Sequence, residues 1–232
     1  QDLRTNLMSI DFRSPTTATH TITTGAISRG IAELMDLSDE TIQKITTGAM
    51  LHDLGKTGIP VEILEYPGKL STKAMRIMRR HVELTESILC GNVPEETLRI
   101  AVRHHEKLDG SGYPKGLRGP ELTFPERIVA VADIFCALYE ARSYKQNYPR
   151  ERVTGILEKM AHDSLIDAKI VAFVVEHYDT ISERVELTRS PVQEGFARLQ
   201  ASYDELKRKF DPGDRRKKRK PRFRYDDQYR HL

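Results

Sequence analysis

The stretch His52-Asp53-Leu54-Gly55-Lys56-Thr57-Gly58-Ile59-Pro60 decides how this chain is read. Before it, Ile42, Ile45, Ala49 and Met50 recur at helical spacing behind Ser38, a residue type that accepts the first free amides of a helix. Gly55, Gly58 and Pro60 end that helix, so His52 and Asp53 fall at its C-terminal end. Neighbouring residues on a helix point about 100° apart. At a helix end both can still converge on an ion held just beyond it. Imidazole nitrogen suits Fe, Mn, Co, Ni and Zn, and a carboxylate can bridge two ions. One His-Asp pair by itself is weak evidence, and the rest of the chain has to supply more.

Working outward, most of the chain carries helical periodicity. Thr16 to Met35 sets Ile22, Ala26, Ile31, Leu34 and Met35 on one stripe. Thr57 to Leu70 reads as loop, and Ser71 caps a continuous helix through Met75, Met78, Val82 and Leu89 that Gly91 closes. Pro94 opens a helix carrying Leu98, Ala101, Val102 and His105. Leu108 to Pro125 is a glycine-rich loop, and Glu126 to Tyr139 is an apolar helix. Helices are expected over Glu151–Met160 and Asp167–Tyr178, with a last one over Pro191–Phe210. No stretch alternates with period two and no internal repeat is visible. The expected fold is a single all-α bundle.

Composition narrows the class further. With 232 residues, 38% of them hydrophobic, the chain can bury a real core, which excludes disorder throughout. Two cysteines, Cys90 and Cys136, are too few for a disulfide framework and favour a reducing compartment. No apolar run approaches the ~18–20 residues that a membrane-spanning helix needs. Residues 1–10 show no signal-peptide pattern, so a cytoplasmic location is expected. The chain lacks an initiator Met and reads as a fragment of something longer.

The histidines carry more information than the charge. His104-His105-Glu106 stand late in the Pro94 helix, where a half-buried imidazole must find partners. His81 lies three residues after Met78, on or beside a buried stripe, and His20 is placed likewise beside Ile22 and Ala26. Asp133 interrupts Ile128-Val129-Ala130-Val131-Ala132-Asp133-Ile134-Phe135, where a carboxylate needs a cation, a donor or a raised pKa. Each residue alone reads more simply as structural. Together they give five imidazoles and two carboxylates on the inner faces of different helices, the pattern of a binuclear metal site in a bundle core.

With His104-His105-Glu106-Lys107-Leu108-Asp109-Gly110-Ser111-Gly112-Tyr113-Pro114 after the His52 stretch, the sequence resembles HD-GYP domains, a branch of the HD phosphohydrolases. The match continues through Arg127-Ile128-Val129-Ala130-Val131-Ala132-Asp133 to Arg142-Ser143-Tyr144-Lys145 and covers roughly residues 16–178. The resemblance implies an HD-type helical bundle with a binuclear site inside it and a glycine-rich GYP loop. It implies hydrolysis of cyclic di-GMP to pGpG, in some members on to GMP, with iron first and manganese second as the metal. His20, His52, Asp53 and Asp133 would hold one ion, and Asp53, His81, His104 and His105 the other, with Asp53 bridging. Lys56 matches a lysine that faces the substrate phosphate, and Arg142 and Lys145 match basic residues on the opposite wall. Each of these three also has a plainer reading, Lys56 as a helix cap and the other two as solvated charges. Tyr113 either stacks on a guanine or packs the loop.

Three positions depart from the pattern. Thr16 stands where some members carry a third-metal Glu, so two ions are expected. Val82 and Thr85 replace the usual Pro and Gly after His81, which suggests a small change in geometry without loss of the ligand. Cys136 stands where a second acidic residue is common.

Two cations a few Å apart lower the pKa of a shared water and yield hydroxide at neutral pH, which would attack phosphorus in line with the leaving ribose oxygen. Lys56, Arg142 and Lys145 would neutralise the non-bridging oxygens. The competing readings are a degenerate domain that binds nucleotide or protein without turnover, and a hydrolase for another nucleotide such as cyclic GMP–AMP. A GGDEF-type or other signalling protein is an expected partner for the GYP loop.

The net charge of +3 averages two unlike parts. Residues 207–224 sum to +9, leaving about −6 for the rest, so the basic tail is expected to be unpacked and is a candidate for polyanion contact. The expected organisation is a lead-in over 1–15, the HD-GYP domain over 16–185, and a C-terminal helix with basic tail over 186–232.

Overall fold

The computed structural model describes residues 15–144 and 149–210; the 1–14 lead-in, Lys145 and the basic tail beyond 210 lie outside it. Among the described residues the chain is helical, with one isolated bridge between Asp109 and Arg118 and no strand. The helices are α1 (Pro15–Leu34), α2 (Asp39–Leu51), α3 (Val61–Leu64), α4 (Thr72–Arg79), α5 (His81–Leu89), α6 (Glu95–Val102), α7 (Phe124–Tyr144), α8 (Arg150–His162), α9 (Ala168–Glu176) and α10 (Tyr178–Phe210). Two 3-10 turns, Leu54–Gly58 and Gly119–Glu121, lie between them.

α1 and α7 form the middle of the bundle. α1 lies against α2 and α7, while α7 also meets α6, α8 and α9. A helix covered on several sides cannot afford a charged face. Accordingly α1 runs Thr-Thr-Ala-Thr-His-Thr-Ile-Thr-Thr, with Thr17, Thr19, Thr21, Thr23 and Thr24 all buried. The core is centred on Ile27, Ile31, Ile45, Ile128, Phe135 and Ile170, each fully buried. The chain divides into two compact units at Pro191 and Val192. No helix among the described residues is long and apolar enough to cross a membrane.

The all-α expectation holds, and Ser38 and Ser71 cap α2 and α4 by accepting from Thr41 N and Ala74 N. Four local expectations are corrected. The 57–70 segment contains the short α3. The helix expected to run unbroken from Ser71 to Leu89 is interrupted at Arg80, where the Met78 carbonyl accepts from the His81 ring. His104 and His105 lie beyond the end of α6, because the Ala101 carbonyl is likewise taken by an imidazole. Pro191 does not start a helix but lies inside α10, where it lacks the amide that would reach the Leu187 carbonyl.

Candidate metal centre

Three of the five histidines reach the site by one device. A helix leaves its last carbonyls without intrahelical donors. His52 Nδ1 donates to Ala49 O at 2.6 Å, His81 Nδ1 to Met78 O at 2.7 Å, and His104 Nδ1 to Ala101 O at 2.7 Å. Each imidazole thus caps the helix that precedes it, and three helix C-termini, carrying partial negative charge, converge on one place. A carbonyl can only accept, so each Nδ1 must hold the proton and each Nε2 presents a lone pair inward.

Those lone pairs meet other acceptors. His81 Nε2 lies 3.5 Å from His104 Nε2, and neither has a proton to give. His52 Nε2 lies 3.2 Å from Asp53 Oδ2 and 3.7 Å from Asp133 Oδ1. His52 Nε2 and Asp53 Oδ1 are buried with no hydrogen-bond partner. Buried acceptors that face one another are repulsive unless a cation lies between them. The ligand atoms fall into overlapping groups, each within 4.8 Å: His20, His52 and Asp133; His52, Asp53 and His104; His81, His104 and His105. Five imidazoles and two carboxylates so arranged fit a pair of divalent ions.

The electrostatics agree with that donor set. Burial, with the neighbouring imidazoles, holds His104 well below the usual histidine pKa; burial lowers His81 and pushes His105 down to about 3. All three are therefore neutral and able to ligate. Burial would raise Asp53 and Asp133, but His52 and Lys56 outweigh it at the first and His20 at the second, so both stay ionised. His20 differs: burial opposes a charge there, yet the hydrogen bonds to the Asp133 and Glu140 carboxylates raise its pKa well above the ordinary value. Its Nε2 is 2.8 Å from Asp133 Oδ1.

The corner that carries Asp53 is locked to α5. Thr85 Oγ1 accepts from Gly55 N at 2.8 Å and donates to His52 O at 3.2 Å. A Cβ on Gly55 would sit 1.9 Å from His81 O, so no other residue allows this approach. The glycine-rich loop is fixed as firmly. The buried Glu106 carboxylate accepts from Lys115 N at 2.7 Å and Leu117 N at 2.9 Å. Arg127 ties Gly119 O and Leu122 O to Asp167 on the N-terminal side of α9.

Lys56 Nζ is 2.6 Å from Asp53 Oδ2, at the edge of the cluster. Tyr113 packs its ring on His105, with centroids 4.7 Å apart and planes 29° apart, and the Arg79 guanidinium lies 4.7 Å from its centroid. Arg142 is in the last turn of α7, its side chain outside the described residues, as is Lys145 altogether. Sequence reasoning missed Arg79, the bridging role of Thr85 and the loop-holding role of Glu106. It also missed Glu140, whose signal was its position: seven residues after Asp133, two turns on along one helix face.

Fold and site together define an all-helical protein with a histidine–aspartate cluster suited to divalent ions. The chain belongs to the HD domain family, whose model matches residues 4–170, and the resemblance to HD-GYP domains is borne out. It is 39% identical over 157 residues, 67% of this chain, to 3'3'-cGAMP-specific phosphodiesterase 3 of Vibrio cholerae, spanning 34% of that protein. It is 42% identical over 130 residues, 55% of this chain, to the cyclic di-GMP phosphodiesterase response regulator RpfG of Xanthomonas campestris, again spanning 34%. A Thermotoga maritima cyclic di-GMP phosphodiesterase is 40% identical over 159 residues, 67% of this chain and 43% of that protein. The chain thus spans well under half the length of these relatives. The HD domain of PgpH from L. monocytogenes, solved with cyclic-di-AMP, superposes with a TM-score of 0.56 at 17% identity, covering 86% of this chain and 97% of that one. At that identity the likeness speaks for the fold.

Proposed function

We propose that this chain is the hydrolytic part of a metal-dependent cyclic dinucleotide phosphodiesterase acting on cyclic di-GMP, with pGpG, or on further cleavage GMP, as product. The observation that carries the reading is the convergence of buried, proton-free acceptors, above all His81 Nε2 and His104 Nε2 at 3.5 Å. Asp53 would bridge two ions, one held further by His20, His52 and Asp133 and the other by His81, His104 and His105. Iron is the first choice of metal and manganese the second. When bound, such ions supply Lewis acidity toward phosphate oxygens and lower the pKa of water.

The chain's own groups do the rest. The helix-end carbonyls fix the imidazole tautomers and keep the nitrogens aimed inward. Lys56 holds Asp53 through one N–H and keeps its remaining donors for a non-bridging phosphate oxygen. Arg142 and Lys145 would neutralise the same phosphate from the other side. Tyr113 lies against His105, which supports its reading as packing for the loop more than as a base-stacking surface. The domain would span 16–185 in a cytoplasmic protein, with the GYP loop facing a GGDEF-type or other signalling partner and the basic tail open to polyanions.

A second reading, hydrolysis of 3'3'-cGAMP, is favoured by the 39% and 36% identical relatives named for that specificity. The test is incubation of the Mn2+- or Fe2+-loaded chain with cyclic di-GMP, 3'3'-cGAMP and cyclic di-AMP, followed by product chromatography. Cleavage of cyclic di-GMP at the highest kcat/KM supports the first reading, and preference for 3'3'-cGAMP the second. Two bound metals without turnover of any of the three would assign a binding module instead.

A further inference from the structure

Among the candidate imidazoles, His20 is the one that lies well inside a helix. Its position in α1 is five residues past Pro15, so the carbonyls one turn back belong to the helical ladder. His52, His81 and His104 stand at helix ends, where carbonyls are free to fix their tautomers. His20 must find that service elsewhere. Its Nδ1 lies 2.9 Å from Glu140 Oε2, while Nε2 faces Asp133 Oδ1 at 2.8 Å. Asp133 and Glu140 are seven residues apart on α7 and so present their carboxylates along one face toward α1. Between them, one turn from each, residue 136 is a cysteine whose Sγ is directed to the His20 carbonyl at 3.8 Å.

We infer that Glu140 is a positioning residue for the metal centre: it holds the proton on His20 Nδ1 and thereby keeps Nε2 free as a ligand. With residue 136 unable to supply a carboxylate, the acceptor stands one helical turn further on. The physical consequence is specific. If Glu140 is lost, the imidazole can place its proton on Nε2, where Asp133 accepts it, and the lone pair needed for the ion disappears. His52 and His104 are indifferent to this, because their own carbonyls hold them.

The inference rests on the assignment of His20 as a ligand, and the experiment separates the two. The full chain, stripped of metal, is titrated with Mn2+ as wild type, Glu140→Gln, Glu140→Ala and His20→Ala. The wild type is expected to bind two equivalents. Glu140→Ala should weaken one of the two steps by about 10–100-fold and leave the other unchanged. Glu140→Gln, whose amide oxygen still accepts the Nδ1–H, should fall clearly closer to wild type. In Zn2+-loaded protein, 15N spectra of the imidazoles should report His20 protonated at Nδ1 in wild type and Glu140→Gln. If Glu140→Ala binds both ions as wild type does while His20→Ala loses one, the role of Glu140 is wrong and the site stands. If His20→Ala keeps both, the site assignment and this inference fail together. If Glu140→Gln is as defective as Glu140→Ala, or a third equivalent binds and vanishes with both, Glu140 is itself a ligand and the positioning role is overturned. Should Glu140→Ala not fold, as judged by circular dichroism, the Gln variant and the wild-type spectrum carry the test.

Discussion

His81 and His104 face each other through their Nε2 atoms at 3.5 Å, and both rings have their only proton on the far side, donated to Met78 O and Ala101 O. Two lone pairs this close, and buried, oppose folding. A divalent ion removes the opposition. Metal should therefore stabilise the native state by about 2.7 kcal/mol at a concentration 100 times Kd, a rise in Tm on the order of 5–10 °C for a chain of this size. Differential scanning calorimetry with EDTA against Mn2+ measures it. An unchanged Tm would remove the case for a metal centre.

Gly55 should tolerate no side chain. Its missing Cβ would meet His81 O at 1.9 Å and Thr85 N at 2.6 Å, both main-chain atoms that cannot swing aside. Gly55→Ala is expected to lose about 2 kcal/mol or more in urea unfolding and to release metal, since Asp53 and His81 are pushed apart. Gly155 in α8 is the control. Nothing lies within 4 Å of a Cβ there, and Gly155→Ala should gain about 0.5–1 kcal/mol from helix propensity.

The Glu106 carboxylate holds the glycine-rich loop by two amides from inside the protein. Glu106→Ala leaves both N–H groups without their acceptor, at about 1–3 kcal/mol for each one that stays buried. The loop is expected to open locally before the bundle does. Trypsin cleavage after Lys115 should speed up by an order of magnitude or more under native conditions. Cleavage at the wild-type rate would show that the loop is held by other contacts.

Tyr113 lies on His105 through its ring, and burial raises the pKa of its phenol. Tyr113→Phe should keep metal affinity and turnover within a few-fold. Tyr113→Ala should loosen His105 and weaken Mn2+ binding by about 10-fold or more, as loss of an orienting contact does. If Tyr113→Ala raised KM alone, with metal binding intact, the ring would be serving the substrate directly.

The helical class was legible because Ser38 and Ser71 occupy cap positions and the apolar residues of α2 and α4 recur at the right period. The donor set was legible for a different reason. His52-Asp53, His104-His105 and an Asp133 in an apolar helix are costly to bury without a cation, and that cost is a property of residue type. The breaks at Arg80 and Val102 were not legible, because a ring nitrogen that takes a helix carbonyl leaves no trace in periodicity. Pro191 misled in the opposite direction, since proline suits both a helix start and, at a cost of one hydrogen bond, a helix interior.

What the sequence determined by itself was therefore composition of the site: which imidazoles and carboxylates are too expensive to bury unused. What only the tertiary structure decided was direction. The tautomer of His52, His81 and His104 follows from carbonyls left free at three separate helix ends, while the His20 ring meets Asp133 and Glu140, 113 and 120 residues away in the chain. Hydrogen-bond partners at such separations are set by how α1 and α7 pack, and short-range sequence patterns hold no information about that packing.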